Sequence, residues 1–306
     1  MVSCVWSRTR IVLGTVTVGS AVAAVVAATA AASPPEDELA AALTLPGPNS
    51  FVSGLDLECF DTPGPPLGVG LVLSQLNPVL QQLGVPPHDV AVRELVQTCV
   101  PVMKNGVPPP PAALPFIQHV DLACYRVDAA PLGSAVPLTL KHLNPVLANL
   151  PAHAVLLPQP NQLCVPVGKN GVVPPPEVLR LAQFIDLECY NVDTGGYPTF
   201  GVSLRQLNPQ LANIPVHPLT LVPQPRQLCV PVQKNQQPIP PDVLAIVRWI
   251  DLEKFAASPI ALPPVNVVLN HLNPLFTTLP RVPVVLQRAS ALMVPVSKNG
   301  VVPPPP

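Results

Sequence analysis

Apolar and polar positions alternate in short runs along this chain, and each run ends on proline, asparagine or glycine. Across Asp186-Leu187-Glu188-Cys189-Tyr190, Leu187 and Cys189 fall on one face and Asp186 and Glu188 on the other, the pattern of a half-buried strand. A second strand precedes Leu-Asn-Pro: Val136, Leu138 and Leu140 oppose Thr139 and Lys141, and Val202 and Leu204 oppose Ser203 and Arg205. Asn followed by Pro marks a turn or a helix start, because Asn caps and Pro suits the first helical position. Two further stretches, Leu219 to Val222 and Leu228 to Val232, complete a small sheet. Pro231 argues that the last is an edge strand, since proline cannot donate to a ladder. Lys-Asn-Gly then forms a turn, with Asn and Gly at positive φ. The third copy of this turn has Gln236 in place of Gly, so Asn235 takes the role there. Near Pro174-Pro175-Pro176 a short helix is predicted, with an extended polyproline connection as the alternative.

The pattern repeats. Asp-Leu-Glu-Cys-Phe at 56–60 returns as Asp-Leu-Ala-Cys-Tyr at 121–125, Asp-Leu-Glu-Cys-Tyr at 186–190 and Asp-Leu-Glu-Lys-Phe at 251–255, each step being 65 residues. Leu-Asn-Pro, Val-Pro-Val and Lys-Asn follow in that order in all four copies. Four shared landmarks make this a tandem repeat. The predicted fold is mainly β: four small β-rich domains in tandem, with short helices and proline-rich joints. The boundaries are a leader at 1–32, a linker at 33–55, and repeats at 56–120, 121–185, 186–250 and 251–306.

Composition changes the picture in two ways. Aromatic residues are only 4% and prolines number 47 of 306, so each copy has little material for a core. Formal charge is −1, with no basic run, which leaves nucleic-acid binding without an electrostatic footprint. At the N-terminus Arg8 and Arg10 precede an uncharged stretch from Ile11 to Ala28, and Ala30-Ala31-Ala32 ends it, the form of a secretory signal peptide cut after Ala32. An uncleaved anchor is the alternative, since Ile11 to Ala32 is just long enough to span a bilayer.

Cys4 departs with the leader, leaving Cys59, Cys99, Cys124, Cys164, Cys189 and Cys229. An even number in an exported chain reads as a disulfide framework. Each of the first three copies holds two cysteines 40 positions apart, and the fourth has Lys254 and Met293 in their places. Joint loss is what a bond within each copy predicts: Cys59–Cys99, Cys124–Cys164 and Cys189–Cys229. No Cys-x-x-Cys or Cys-His cluster has metal-ligand spacing.

Other recurring polar positions carry little chemistry. Gln75, His142, Gln206 and His271 share one site, and both types donate a side-chain hydrogen bond, so a structural bond to a nearby carbonyl is expected. Asp56, Asp121, Asp186 and Asp251 are placed to meet Lys104, Lys169, Lys234 and Lys298 in surface ion pairs or turn bonds. Asp186 with Glu188 would suit a glycosidase pair, but Ala123 replaces the second carboxylate in copy two. No nucleophile elbow, phosphate loop or metalloprotease motif is present.

Glu188-Cys189-Tyr190-Asn191-Val192 together with Leu228-Cys229-Val230-Pro231-Val232-Gln233-Lys234 resembles a domain of unknown function found in tandem in secreted bacterial and archaeal proteins. The resemblance spans about 56–306 and implies secretion and tandem architecture. Thr98 and Phe60 depart from its pattern, as does the fourth copy. The reading is a secreted, non-catalytic structural or binding module needing no catalytic residue, metal or cofactor. A multivalent carbohydrate- or protein-binding array is the second reading and an extracellular hydrolase the third. Expected partners are an extracellular protein or polysaccharide, with no nucleic acid and, once the leader is cut, no membrane.

Overall fold

A computed structural model describes residues 43–192 and 198–305. The leader at 1–32, with Cys4, and residues 33–42 of the linker lie outside those residues. The strands are β1 (Leu57–Asp61), β2 (Pro66–Gln75), β3 (His88–Lys104), β4 (Leu122–Ala129), β5 (Val136–His142), β6 (His153–Leu157), β7 (Pro160–Lys169), β8 (Leu187–Val192), β9 (Phe200–Gln206), β10 (His217–Lys234), β11 (Leu252–His271) and β12 (Val282–Lys298). Short helices α1 (Pro48–Ser53), α3 (Leu114–Ile117), α4 (Pro176–Ala182) and α5 (Pro241–Val247) start on or beside prolines, while α2 (Pro78–Gln82) follows Asn77.

The local signals act as their chemistry dictates. Asn77, Asn144, Asn208 and Asn273 each hold extended backbone and accept the N–H two residues on, with Pro next in line. This starts α2 in the first copy and 3-10 turns (Pro145–Leu147, Pro209–Leu211, Pro274–Phe276) in the others. Asn105, Asn170 and Asn299 have φ near +50°, each followed by a glycine near +75°. In the third copy both Asn235 (φ 47°) and Gln236 (φ 55°) are left-handed, so Gln236 adopts the strained conformation itself.

The copies do not fold as four domains in a row. All twelve strands join in one antiparallel sheet, and eight of them close a ring in the order β1, β3, β4, β7, β8, β10, β11, β12 and back to β1. The register repeats with the sequence. Within copies Cys59 faces Cys99, Cys124 faces Cys164, Cys189 faces Cys229 and Lys254 faces Met293. Between copies Cys99 faces Leu122, Cys164 faces Leu187, Cys229 faces Leu252 and Met293 faces Leu57. Each junction therefore steps by two residues, the stagger that closes a sheet into a barrel. Two barrel strands per copy leave two edges open, and only the neighbouring copies satisfy them.

The remaining strands form arms outside the barrel: β2 with the start of β3, β5 with β6, β9 with the start of β10, and the end of β11 with the start of β12. Each arm finishes against the barrel strand two copies away. Gln75 of β2 pairs with Val232 of β10, Gln206 of β9 with Val102 of β3, His271 of β11 with Val167 of β7, and His142 of β5 with Val296 of β12. The asparagine turns clamp the same junctions. Asn105 donates its backbone N–H to the Ser203 carbonyl and accepts the Ser203 N–H on its side chain. Asn170 does this with Val268, Asn235 with Val72 and Asn299 with Thr139.

Pro231 is consequently not on an edge strand. It sits just past the last β10–β11 pair, Cys229 with Leu252, and just before the first β10–β2 pair, Val232 with Gln75. Its missing N–H falls at that changeover, and its carbonyl accepts the N–H of Leu76. Pro101, Pro166 and Pro295 accept from Leu207, Leu272 and Leu143 in the same way.

Burial is two-sided. Inside, the cysteines and Leu57, Leu122, Leu187 and Leu252 pack against Phe51, Phe116, Phe184 and Ile246 from the helical segments, which fill one end of the barrel. Outside, Phe60, Tyr125, Tyr190 and Phe255 lie beneath the arms. The Asp-Leu-Glu-Cys strands are therefore buried on both faces, not half-buried, and Glu58, Glu188 and Glu253 are wholly buried.

Candidate functional site

The polar positions singled out from the sequence make contacts both within and between copies. Asp56, Asp121, Asp186 and Asp251 form ion pairs with Lys104, Lys169, Lys234 and Lys298, but these are buried, not at the surface. Each aspartate also receives the capping asparagine of a neighbouring copy: Asn144 donates to Asp56 at 2.8 Å, Asn208 to Asp121 at 3.0 Å, Asn273 to Asp186 at 3.1 Å and Asn77 to Asp251 at 2.7 Å. The last bond carries the cycle from copy four back to copy one. Burial pushes the carboxyls of Asp56 and Asp251 up to about 6, against the pull of Lys104 and Lys298. It lowers the paired lysines.

The Gln/His position bonds from an arm to the outer face of the barrel, to side chains and not to the carbonyl that the sequence suggests. Gln75 donates to Glu188 and to the Tyr190 hydroxyl, each at 3.0 Å, and Gln206 donates to Glu58 at 2.6 Å. His88 Nε2 lies 2.8 Å from Glu188, His217 Nε2 2.7 Å from Glu58, and His153 Nε2 3.0 Å from Glu253. Arg226, also fully buried, reaches Glu253 at 3.0 Å, and His142 stands 3.5 Å from it. The copy with Ala123 instead of glutamate is covered by the arm with Val282 instead of histidine. There His271 meets the Tyr125 hydroxyl at 3.2 Å. Asp186 and Glu188 do not converge on a cavity as a catalytic pair; each is bound into a separate joint.

The three disulfides are Cys59–Cys99, Cys124–Cys164 and Cys189–Cys229. All face inward, and neighbouring bridges touch: Cys99 and Cys124 sulfurs are 3.7 Å apart, Cys164 and Cys189 sulfurs 3.8 Å. Lys254 and Met293 complete this layer at the positions of a fourth bridge.

One residue layer above the sulfurs, on the side away from the helices, Arg126 faces Gln162, and the other inward positions are Asp61, Gln97, Asn191 and Gln227, with Ala256 and Ala291. All of these but Arg126 surround a cavity of about 400 Å³ to which strands of all four copies contribute. Its walls are mostly amides. Gln227 donates to Asn161 at 3.0 Å and to Asn191 at 3.2 Å, and Asn161 donates to Asn191 at 2.7 Å. Asp61 accepts from Ser290 and, at 3.1 Å, from Arg288. Lys254 lies at the floor, 5% exposed, donating to Gln97 and, at 2.8 Å, to Gln162. Burial lowers its ammonium to about 7, with Asp61 acting the other way. A second recess of about 310 Å³ shares Asn161, Gln162 and Asn191 and has Arg126 on its wall.

Sequence reading missed this cavity because single amides on separate strands form no motif. Its one signal was Lys254 in a cysteine's place. Among the described residues no group of three or more His, Cys, Asp or Glu side chains is arranged to hold a metal ion, and no helix is long and apolar enough to cross a membrane. Compared with protein-family models, curated proteins and solved structures, the chain matches none of them. The site is therefore read from its own chemistry. Amides offer fixed donors and acceptors, and a barrel braced by disulfides holds them in place.

Proposed function

We propose that this protein is an exported, non-catalytic binding module that works outside the cell and holds a small polar molecule at the mouth of its barrel. The observation that carries the reading is the amide-walled cavity set directly on a layer of disulfides. Neutral amide side chains recognise hydroxyl and carbonyl groups by geometry, and a rigid frame loses little entropy when it does so. The leader-like segment at 1–32 and three disulfides support export. A fourfold array of equal sites has less support, because all four copies are consumed in forming this single mouth.

The test is a titration of the full exported chain, labelled with ¹⁵N, against a panel of neutral sugars, polyols and small polar acids. Side-chain amide resonances of Gln162, Asn191 and Gln227 should move with at least one class, and Gln162→Ala with Asn191→Ala should abolish the response. Unmoved amides across the whole panel would sink the reading.

A further inference from the structure

Lys254 is the exception among the buried lysines. Lys104, Lys169, Lys234 and Lys298 are each matched by an aspartate. Lys254 has two neutral amide acceptors, and among the described residues no carboxylate lies within ion-pairing distance of it. The nearest acid in the cavity, Asp61, is engaged by Arg288 and Ser290. A buried cation without a counter-charge costs free energy, and an ammonium has three N–H groups of which two are used here. The space next to it is the polar cavity. Copy four could have kept a disulfide at this place, as its register shows, and carries a cation instead.

We infer that the cavity takes a small polyhydroxylated carboxylate, a sugar acid, whose carboxylate pairs with Lys254 while its hydroxyl groups bond to the amides of Gln97, Gln162, Asn191 and Gln227. This rests on the binding-module reading and specifies its ligand. A neutral sugar would leave Lys254 without an opposite charge. A fatty acid would find amides where it needs apolar walls. Stacking on aromatic rings plays no part, since none lines the cavity.

Glucuronate is the probe and glucose its neutral counterpart. Calorimetry on the full chain should show glucuronate binding at least tenfold tighter than glucose. Lys254→Met removes the charge at similar volume and should cost glucuronate at least tenfold in affinity. Binding should also take up protons, because the ligand favours the charged amine. With Lys254 titrating at about 7, the glucuronate Kd should rise about tenfold from pH 6 to pH 8. The other charges facing the cavity or its rim are Asp61 on β1, Arg288 on β12, Glu94 on β3, and Arg126 and Asp128 on β4; β7, β8 and β10 present amides. Equal binding of glucose and glucuronate by the parent, or undiminished glucuronate binding by Lys254→Met, would overturn the inference and leave the binding-module reading standing. Failure of the whole panel, neutral sugars, polyols and polar acids alike, would remove both.

Discussion

Gln236 shows how far a single residue can be pushed by its neighbours. Three copies place glycine at the second left-handed position of the Lys-Asn turn, and the third copy holds Gln236 there at φ 55°. The conformation is imposed because Asn235 must clamp Val72. Replacing Gln236 with Gly should stabilise the protein by about 1 kcal/mol, read as a raised denaturant midpoint at constant slope. The buried glutamates give a larger effect of opposite sign. Glu188→Ala strips a shared acceptor from Gln75, His88 and Tyr190 and should cost about 3–5 kcal/mol by the same measurement. The histidines divide by sign. Burial holds His142 and His271 down at about 4, so unfolding takes up protons below 6.5 and their contribution is lost as pH falls from 6.5 towards 4. His88 is raised, chiefly by its hydrogen bond to Glu188. His217 is raised because the bond and charge of Glu58 outweigh its burial. Their contribution is full below 6.5 and fades as pH rises through the raised values. His142→Gln borrows the residue that copies one and three use and should lessen the loss of stability between pH 6.5 and 4.5 by about 2 kcal/mol; an unchanged melting profile across that range would count against this account.

Elements were legible wherever the signal was local. Asn-Pro specified a capped turn in every copy, the alternation specified the strands, and the proline runs specified short helices. What alternation could not convey was which face meets water. Leu187 and Cys189 face the barrel interior, yet Glu188 and Tyr190 opposite them are as deeply buried, because the arm of another copy lies over them. The same limit applied to Pro231, whose tolerance depends on a change of strand partner that no local rule contains. The fourth copy offers a direct check on the register. Lys254 and Met293 stand face to face as the cysteine pairs do, so Lys254→Cys with Met293→Cys should close a fourth bridge and stabilise the fold by about 4 kcal/mol on the chain-entropy model. Free thiols persisting in that variant after oxidation would show that the fourth junction differs from the other three.

At the scale of the molecule, the repeats are interdependent. A given copy lends its asparagine to the previous copy's aspartate and, in three of the four, its histidine to the glutamate two copies away. Residues 121–185 produced alone, with Cys124 and Cys164 oxidised, should thus lack a cooperative unfolding transition and dispersed amide resonances. A folded single copy would contradict the ring. The sequence by itself determined the repeat, the strands, the turns and the partners within a copy, because each is a matter of neighbours in the chain or of a spacing repeated four times. Only the tertiary structure decided that the copies close into one barrel, that the aspartate–lysine pairs are buried, and that Lys254 and five scattered amides meet at one mouth. Those outcomes follow from strand stagger and from which edges remain to be paired, and such quantities belong to the assembled sheet.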